Sequence, residues 1–247
     1  MASPSSPIAV ITGISGGFGQ PFARVFSENG FEIIGISRHE PEIPIGHHIA
    51  ADLTDSTALP ALVEQINQLT NHVDVLILNA GIGLYDGWEE MNETELRALM
   101  ELNFFAPVTL ARSLLPSLKK VNGTLVTVSS VAGVLPVAYM GAYCASKYAL
   151  NAFSDTLRAE LIGTGVHLLN LLPGRINTGF STRAFGSRTP PETPFAGSPE
   201  RLARAAFRAY KKKKRQLVYP GWYRLLPFVQ HIFPGFYDRA SKGKWKT

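Results

Sequence analysis

The sequence predicts an α/β fold in which an open parallel sheet carries helices on both faces. Short runs of Val, Ile and Leu alternate along the chain with longer amphipathic stretches. Runs that are apolar throughout suit strands buried on both sides, because the crossover helices of a parallel sheet cover both faces. The chain has 247 residues, of which 45% are hydrophobic, and is therefore long enough for one large domain with a substantial core.

The apolar runs predict strands, and the amphipathic stretches between them predict helices. The strand candidates cover residues 8–12, 31–36, 73–78, 123–129 and 166–172, with weaker candidates at 47–50 and 216–219. The helices are expected at residues 18–29, 57–69, 93–120, 142–163 and 200–215. This regular alternation is typical of a doubly wound sheet with right-handed crossovers.

Two segments interrupt the alternation and set the expected domain limits. Residues 178–198 are rich in Gly, Pro, Ser and Thr, and a loop of this length in a compact domain is usually functional. We therefore expect a lid there. The single catalytic domain should cover residues 1–219, and residues 220–247 should form a C-terminal extension rich in aromatic residues.

Cysteine usage and hydropathy restrict the cellular setting. Cys144 is the sole cysteine, so neither an intramolecular disulfide nor a thiolate metal cluster can form, which suits a reducing compartment. The first residues lack the basic region and apolar run of a secretory signal, and no run of about 18 apolar residues predicts a spanning helix. The histidines show no metal-ligand spacing with carboxylates. We expect a cytoplasmic protein without a metal.

The net charge of +5 conceals a strong asymmetry along the chain. Residues 1–200 carry 11 Lys and Arg against 18 Asp and Glu, whereas residues 201–247 carry 13 against Asp238 alone. The run KKKKR at 211–215 followed by the aromatic segment 221–237 is compatible with peripheral contact to a membrane surface. Packing on the chain's own domain or on a partner subunit is the favoured interpretation. Nucleic acid is not expected, because no groove-reading motif accompanies the basic residues.

The stretch TGISGGFG at residues 12–19 lies between the first predicted strand and the first predicted helix. Glycines at positions 13, 17 and 19 permit a tight turn and a close approach of the backbone to a pyrophosphate. The helix that follows would offer free N–H groups and the positive end of its dipole. The sequence therefore predicts a dinucleotide site, the alternative being a flexible turn.

The end of the second strand indicates which dinucleotide binds. Cofactors without a 2′-phosphate usually meet an Asp or Glu about 20 residues beyond the glycine loop. Here Ser37 and Arg38 occupy that place. A guanidinium can bind a 2′-phosphate in bidentate fashion, whereas a carboxylate would repel it. We expect NADP(H) rather than NAD(H), the alternative being a solvated surface arginine.

With these motifs in place, the chain resembles the short-chain dehydrogenase/reductase family in its single-domain branch of about 250 residues. The resemblance runs from about residue 8 to residue 178 and implies a Rossmann-type fold. It is carried by the glycine loop, by NAG at 79–81, by YCASK at 143–147, which matches the family's YxxxK, and by PGRINT at 173–178. The motifs occur in the family's order and at its spacing. The cofactor-binding residues that the resemblance and the glycine loop imply are Thr12, Gly13, Ser15, Gly17, Phe18, Gly19, Ser37, Arg38, Asp52, Leu53, Asn79, Ala80, Gly81, Tyr143, Lys147, Pro173, Gly174, Ile176 and Thr178.

The resemblance also implies a catalytic set. Tyr143 would donate the proton in carbonyl reduction and accept it in alcohol oxidation. Lys147, one helical turn away, would lower the pKa of Tyr143 by its charge and hold the nicotinamide ribose. Ser130, rather than the neighbouring Ser129, would stabilise the substrate oxygen. Asn103 would hold a backbone kink and a water that leads to Lys147.

The substrate is expected to be small and mostly hydrophobic, a ketone or aldehyde or the corresponding alcohol. The segments that would frame the pocket, residues 83–85 and 131–140 with Phe180 and Phe185, are largely apolar. The resemblance implies a homodimer or homotetramer. Residues 93–120 and the helix of Tyr143 would form the subunit interface. A nucleotide-sensing protein on a membrane, without turnover, is the alternative function. The intact Ser130, Tyr143 and Lys147 argue against it.

Overall fold

The computed structural model describes residues 6–191, 196–243 and 245, and within them the chain forms one seven-stranded parallel sheet. The strand order is β3-β2-β1-β4-β5-β6-β7, which confirms the predicted doubly wound α/β fold. The strands are β1 (Ile8–Thr12), β2 (Glu32–Ser37), β3 (His47–Ala50), β4 (Val75–Leu78), β5 (Thr124–Val128), β6 (His167–Pro173) and β7 (Gln216–Tyr219).

Helices cover both faces of this sheet and bury it in two apolar layers. The helices are α1 (Gly19–Ser27), α2 (Leu59–Leu69), α3 (Glu93–Met100), α4 (Ala106–Lys119), α5 (Gly141–Glu160), α6 (Pro199–Lys211), α7 (Leu226–Ile232) and α8 (Pro234–Lys242). On one face α1 and α6 pack over alternate residues of β1, and on the other α2 and α4 pack over the intervening ones. β1, β4 and β5 are therefore buried on both sides, as their continuous apolar runs predict.

The predicted single helix at 93–120 is wrong in its middle. α3 passes into a π-helical turn at Glu101–Phe105 before α4 begins. The apolar periodicity of the two helices is compatible with one continuous helix, and the sequence pattern does not reveal the wider turn. Its cause is tertiary, because the Asn103 side chain bonds to backbone outside the helix, as described below. Such π-bulges frequently occur at functional sites.

The strand order changes direction between β1 and β4, and this change locates the ligand crevice. β2 and β3 extend from β1 in one direction, whereas β5, β6 and β7 extend from β4 in the other. In open α/β sheets, ligands bind beyond the carboxyl ends of the strands at such a switch point. The glycine loop follows β1, NAG follows β4 and Ser130 follows β5, so all three meet at this edge.

The C-terminal extension forms a turn at Gly221–Leu225 and then α7 and α8. Neither helix contains a buried residue, so the extension lies on the domain surface. It contacts its own domain through Tyr223, Tyr237 and Trp245. Among the described residues no helix is long and apolar enough to cross a membrane. Residues 1–5 of the predicted domain, 192–195 of the predicted lid, and 244, 246 and 247 of the extension lie outside the described residues.

Candidate active site

Thr12 and Asn79 tie the end of β1 to the end of β4 across the crevice. The Thr12 hydroxyl accepts hydrogen bonds from the backbone N–H of Asn79 at 2.9 Å and of Ala80 at 3.0 Å. In return, the Asn79 amide donates to the carbonyls of Thr12 at 2.9 Å and Gly13 at 3.2 Å. The polar side-chain atoms of both residues therefore fix the glycine loop in position.

The glycine loop brings backbone close to backbone and leaves donors free. Gly13 has φ +67°, and a Cβ at Gly19 would lie 2.2 Å from the Gly13 carbonyl oxygen, so α1 can approach the loop this closely only with glycine there. α1 begins without a capping side chain, and among the described residues the N–H groups of Gly17 and Phe18 have no acceptor. Unpaired N–H groups at the positive end of a helix dipole fit the pyrophosphate of a dinucleotide.

The residues predicted for the adenosine end lie at the carboxyl ends of β2 and β3. The guanidinium of Arg38 is largely exposed and 3.8 Å from the Asp52 carboxylate, a contact that contributes little to stability. Asp52 also accepts hydrogen bonds from the backbone and hydroxyl of Thr54. Ser37 donates to the His39 carbonyl at 2.6 Å, and Leu53 is buried in the core. The Arg38 guanidinium is therefore accessible to an anionic ligand.

α5 places Tyr143 and Lys147 together at the crevice. Both side chains are buried, at 7% and 3% exposure, and the Lys147 Nζ lies 5.8 Å from the centroid of the Tyr143 ring. Nζ donates to the carbonyl of Val128 at 3.1 Å. A Cβ added at Gly81 would lie only 3.4 Å from Nζ. The ends of β4 and β5 and the start of α5 thus converge on this ammonium group.

Burial controls the protonation of this pair. It raises the pKa of Tyr143 above its ordinary value, against the opposing effect of a hydrogen bond with the Ser130 hydroxyl. Burial likewise lowers the pKa of Lys147 from 10.5 to about 8. The net shift in the pKa of Tyr143 is upward because desolvation of the phenolate dominates, and the expected lowering by the charge of Lys147 stays a prediction. Tyr143 is a neutral phenol, which is the form that donates a proton.

The two serines after β5 have different partners. Ser130 accepts from the N–H of Ala132 at 3.1 Å, donates to the Pro173 carbonyl at 3.3 Å and faces the phenol of Tyr143. The Ser129 hydroxyl instead donates to the backbone carbonyl of Lys147 at 3.3 Å, and so braces α5 against β5. The two side chains leave the strand on opposite sides, and Ser130 is the one beside Tyr143.

Asn103 is fully buried in the π-helical turn and joins it to two other elements. Its Oδ1 accepts from the N–H of Ile82 at 2.9 Å, and its Nδ2 donates to the Ile82 carbonyl at 2.9 Å. The same Nδ2 donates to the hydroxyl of Ser146 at 3.0 Å, which in turn donates to the Tyr143 carbonyl at 2.8 Å. Asn103 therefore lies in an irregular turn and is connected to α5 directly through Ser146, whereas the expected water that leads to Lys147 stays a prediction.

A buried polar network beside the site was missed by the sequence analysis. The Asn170 amide donates to the Oδ1 of Asn151 at 2.9 Å, and Asn151 donates to the Gly133 carbonyl at 2.8 Å. Thr127 bonds to both Ser154 and Asn170. This network ties α5 to β5, β6 and the turn after Ser130. A sequence signal was present, since Thr127 and Asn170 are polar residues in the middle of otherwise apolar strands.

The segment predicted to be a lid, residues 178–198, packs against Tyr143 in its described part. The Phe180 ring lies 5.8 Å from the Tyr143 ring, and Phe185 forms backbone hydrogen bonds with Gly83 and Tyr85 at 2.9 and 3.0 Å. Ser187 donates to the buried carboxylate of Asp86 through both its N–H and its hydroxyl, and Arg188 pairs with Glu90 at 2.7 Å. The described part of the lid is therefore held in place by specific contacts.

The PGRINT segment connects the lid to the rest of the site. Gly174 donates its N–H to the Tyr219 carbonyl at 2.7 Å, and Ile176 is nearly buried. A Cβ at Gly17 would lie 2.4 Å from the Cβ of Thr178, so the lid begins directly on the glycine loop. A cavity of about 340 Å³ beside this contact is lined by Ser15, Gly17, Thr178 and Arg183, among others.

Comparison with known proteins matches this arrangement to a single family. Residues 7–188 match the short chain dehydrogenase family. The chain belongs to this family. A 3-ketodihydrosphingosine reductase of Bacteroides thetaiotaomicron is 37% identical over 177 residues, which cover 70% of this chain and 65% of that protein. Dehydrogenase/reductase SDR family member 7B of Bos taurus is 32% identical over 96% of this chain and 81% of that protein.

A solved short-chain dehydrogenase from Streptomyces avermitilis shares the whole fold. It superposes with a TM-score of 0.81 at 28% identity, over 98% of this chain and 99% of that one. The chain is therefore an oxidoreductase of the short chain dehydrogenase family with a Rossmann-type domain. Within the described residues no group of three His, Cys, Asp or Glu side chains could hold a metal ion.

Replacement of Gly19 by Ala should destabilise the protein by about 3 kcal/mol, because the new Cβ would collide with the Gly13 carbonyl oxygen and the loop would have to move. Urea unfolding measures the effect. Gly235→Ala is the matched control, since nothing lies within 4 Å of a Cβ there, and its stability should equal or slightly exceed that of the wild type. Equal stability of the two variants would contradict the close approach.

Replacement of Lys147 by Met should change how stability depends on pH. The pKa of Lys147 is about 8 in the folded state and about 10.5 when unfolded, so the unfolded chain binds the extra proton between these values. The buried ammonium of Lys147 therefore lowers the free energy of unfolding. This destabilisation is complete below pH 8 and disappears as the pH rises to about 10.5. The wild type should therefore gain about 3 kcal/mol of unfolding free energy relative to Lys147→Met across this range.

Denaturant titrations of the nucleotide-free protein at several pH values measure this gain. Lys119→Met, which removes an exposed ammonium on α4, controls for the loss of one positive charge. A constant difference between wild type and Lys147→Met over the whole range would show that the ammonium is not desolvated.

Proposed function

We propose that this protein is an NADP(H)-dependent carbonyl reductase that interconverts a mostly hydrophobic ketone or aldehyde and its alcohol. The observation that carries the proposal is the convergence of the buried Tyr143 phenol, the Ser130 hydroxyl and the Lys147 ammonium at the carboxyl edge of the sheet. The glycine loop, with its free N–H groups, lies at the same edge. The family to which the chain belongs supports the reaction class.

In this proposal each polar group has a separate task. When bound, the nicotinamide supplies the hydride. Tyr143 donates a proton to the carbonyl oxygen, for which its neutral form is suited because burial raises its pKa. Ser130, beside the phenol, donates a hydrogen bond to the oxygen as charge develops there. Lys147 orients the ribose and supplies positive charge near the phenol. Asn103 positions α5 through Ser146.

The preference for NADP(H) rests on the accessible guanidinium of Arg38. It lies at the end of β2, where a carboxylate would select against a 2′-phosphate, and its contact with Asp52 is long and exposed. A 2′-phosphate could replace this contact with shorter, charge-assisted hydrogen bonds.

The hydrophobic substrate is supported by the surroundings of Tyr143. Its buried neighbours are Leu84, Leu99 and Ala132, and Phe180 and Phe185 of the lid pack against them. These apolar side chains around the phenol, which we call the chamber, would exclude water and favour an apolar carbonyl compound. The similarity to a 3-ketodihydrosphingosine reductase supports a ketone attached to an aliphatic chain.

A homodimer or homotetramer is also part of the proposal. α4 and α5, together with the π-helical turn before α4, would form the contact. Phe105 and Tyr148, which are exposed on this surface, support it, because burial of such rings between subunits would be favourable.

Tyr143→Phe should lower kcat about 1000-fold for every carbonyl substrate, because the proton donor is lost while the ring stays in place. NADPH binding, followed by fluorescence titration, should change by less than about threefold. Tyr148→Phe, five residues along the same helix and exposed, is the matched control and should retain activity. Substantial turnover by Tyr143→Phe would refute its role as proton donor. A wild-type enzyme that binds NADPH and consumes none with a broad carbonyl panel would favour the nucleotide-sensing alternative.

Arg38→Asp should weaken NADPH binding about 100-fold, through loss of charge-assisted hydrogen bonds and added repulsion. NADH binding should improve or stay constant, so that the cofactor preference reverses. Dissociation constants for both nucleotides measure the change. Arg201→Asp, on the exposed side of α6, controls for the change in net charge. Unchanged selectivity in Arg38→Asp would rule out the assignment.

A further inference from the structure

The C-terminal extension carries an apolar surface that its own domain does not cover. Six of the twelve large apolar residues that are exposed in the described chain fall within a stretch of fifteen residues. Each is between 47% and 69% exposed. They are Trp222, Leu225, Phe228, Ile232, Phe233 and Phe236, and we call them the outer face. Exposed apolar groups concentrated in this way mark an interaction site more often than chance.

The outer face lies along two consecutive short helices. Leu225, Phe228 and Ile232 are separated by three and four residues and so share one side of α7, whereas Phe233 lies at the non-helical junction and Phe236 lies in α8. The side chains that are partly buried, Tyr223 and Tyr237 among them, fall between these positions and point towards the domain. α7 and α8 are therefore amphipathic in place, with one side docked and the other side free.

The docked side rests on the segments that border the active site. The Tyr223 ring would contact a Cβ at Gly174 at 2.1 Å, and its hydroxyl accepts the N–H of Arg175 at 3.3 Å. Tyr237 donates to the carbonyl of Pro136 at 2.7 Å. The extension therefore lies directly on the segment after Ser130, and the outer face is on the side of the extension that faces away from it.

Trp245 also connects the extension to segments near the active site. Its ring lies 5.7 Å from that of Tyr85 and 5.8 Å from that of Tyr139. Both tyrosines belong to the segments expected to frame the substrate. The extension therefore contacts several of the segments that are expected to frame the substrate, and we call these segments the rim of the chamber.

Exposed cations occur in the same segment as the outer face, and their charge indicates its partner. Arg224, Arg239 and Lys242 are exposed there, and Asp238 is the one acid in residues 201–247. A second copy of the same face would bring these cations together, which is unfavourable. An anionic lipid surface satisfies both the aromatic residues and the cations, as interfacial helices generally require.

The basic run KKKKR at 211–215 does not belong to this surface. From the sequence alone, it combines with the aromatic segment 221–237 into one candidate membrane-contacting region. The Lys214 carbonyl accepts a hydrogen bond from the Nε2 of His167 at 3.0 Å, at the amino end of β6. β7 separates it from the extension by four residues, about 13 Å of strand. The cations that matter are therefore those within the extension.

We propose that the outer face of α7 and α8 docks on an anionic lipid surface, which places the rim of the active-site chamber at the membrane. An apolar carbonyl substrate would then reach Tyr143 from the lipid without crossing water. The docking itself depends only on the extension, whereas the delivery of substrate rests on the proposed function.

Flotation of the full-length protein with vesicles tests the docking. Vesicles containing about 30% phosphatidylglycerol should bind the wild type, and about 0.5 M NaCl or pure phosphatidylcholine should weaken binding at least tenfold. The double variant Phe228→Ser/Ile232→Ser should lower the partition coefficient about 100-fold. Leu69→Ser/Ile162→Ser, which removes two exposed apolar residues at the opposite edge of the sheet, should bind as the wild type does.

Turnover separates this proposal from the proposed function. Both double variants should reduce a short, water-soluble ketone at the wild-type rate. Only Phe228→Ser/Ile232→Ser should lose kcat/KM, about tenfold or more, on a long-chain ketone presented in anionic vesicles. Absence of any turnover on both ketones would refute the proposed function while leaving the flotation result to decide the docking.

Two results would overturn the docking. The first is a wild type that fails to float with anionic vesicles, or a Phe228→Ser/Ile232→Ser variant that floats as well as the wild type. The second is a wild-type dimer in sedimentation velocity that Phe228→Ser/Ile232→Ser converts to a monomer, because a second copy of the chain would then cover the outer face.

Discussion

The hydrogen bonds of Asn103 are the constraint on which the geometry of the site depends. A fully buried amide must pair all of its polar atoms, since each unpaired one costs about 1–3 kcal/mol. Asn103 meets this requirement with the backbone of Ile82 after β4 and with Ser146 on α5. Asn103 makes these bonds from the π-helical turn, where the helix is wider than an α-helix. The same bonds set the distance between Gly81 and Lys147, where nucleotide and catalytic helix would meet.

Desolvation gives the site its chemical character. Tyr143 and Lys147 are buried beside an apolar cluster, so charged forms are disfavoured for the phenol and for the Lys147 ammonium alike. A phenol kept neutral and a lysine whose pKa is about 8 together form a site poised to give a proton at neutral pH. The buried bonds among Thr127, Asn151 and Asn170 hold α5 rigidly enough for this arrangement to persist.

The C-terminal extension lies between the predicted active site and the solvent-exposed surface of the protein. Three aromatic side chains attach it to the rim of the chamber, and its remaining aromatic residues face outward with the cations. A surface that is apolar, basic and adjacent to the apolar surroundings of Tyr143 fits the proposed hydrophobic carbonyl substrate.

The sequence by itself determined the doubly wound α/β fold class, the position of the glycine loop and the pairing of Tyr143 with Lys147 on one helix. It could do so because strand–helix alternation and i, i+4 spacing are local properties of the chain. β1, β3 and β7 were predicted to the residue. Only the tertiary structure decided the π turn at Asn103, the network through Asn170 and the upward shift in the pKa of Tyr143. Each of these depends on what a distant segment places beside a buried polar group, and burial is a property of the packed molecule, which no local pattern encodes.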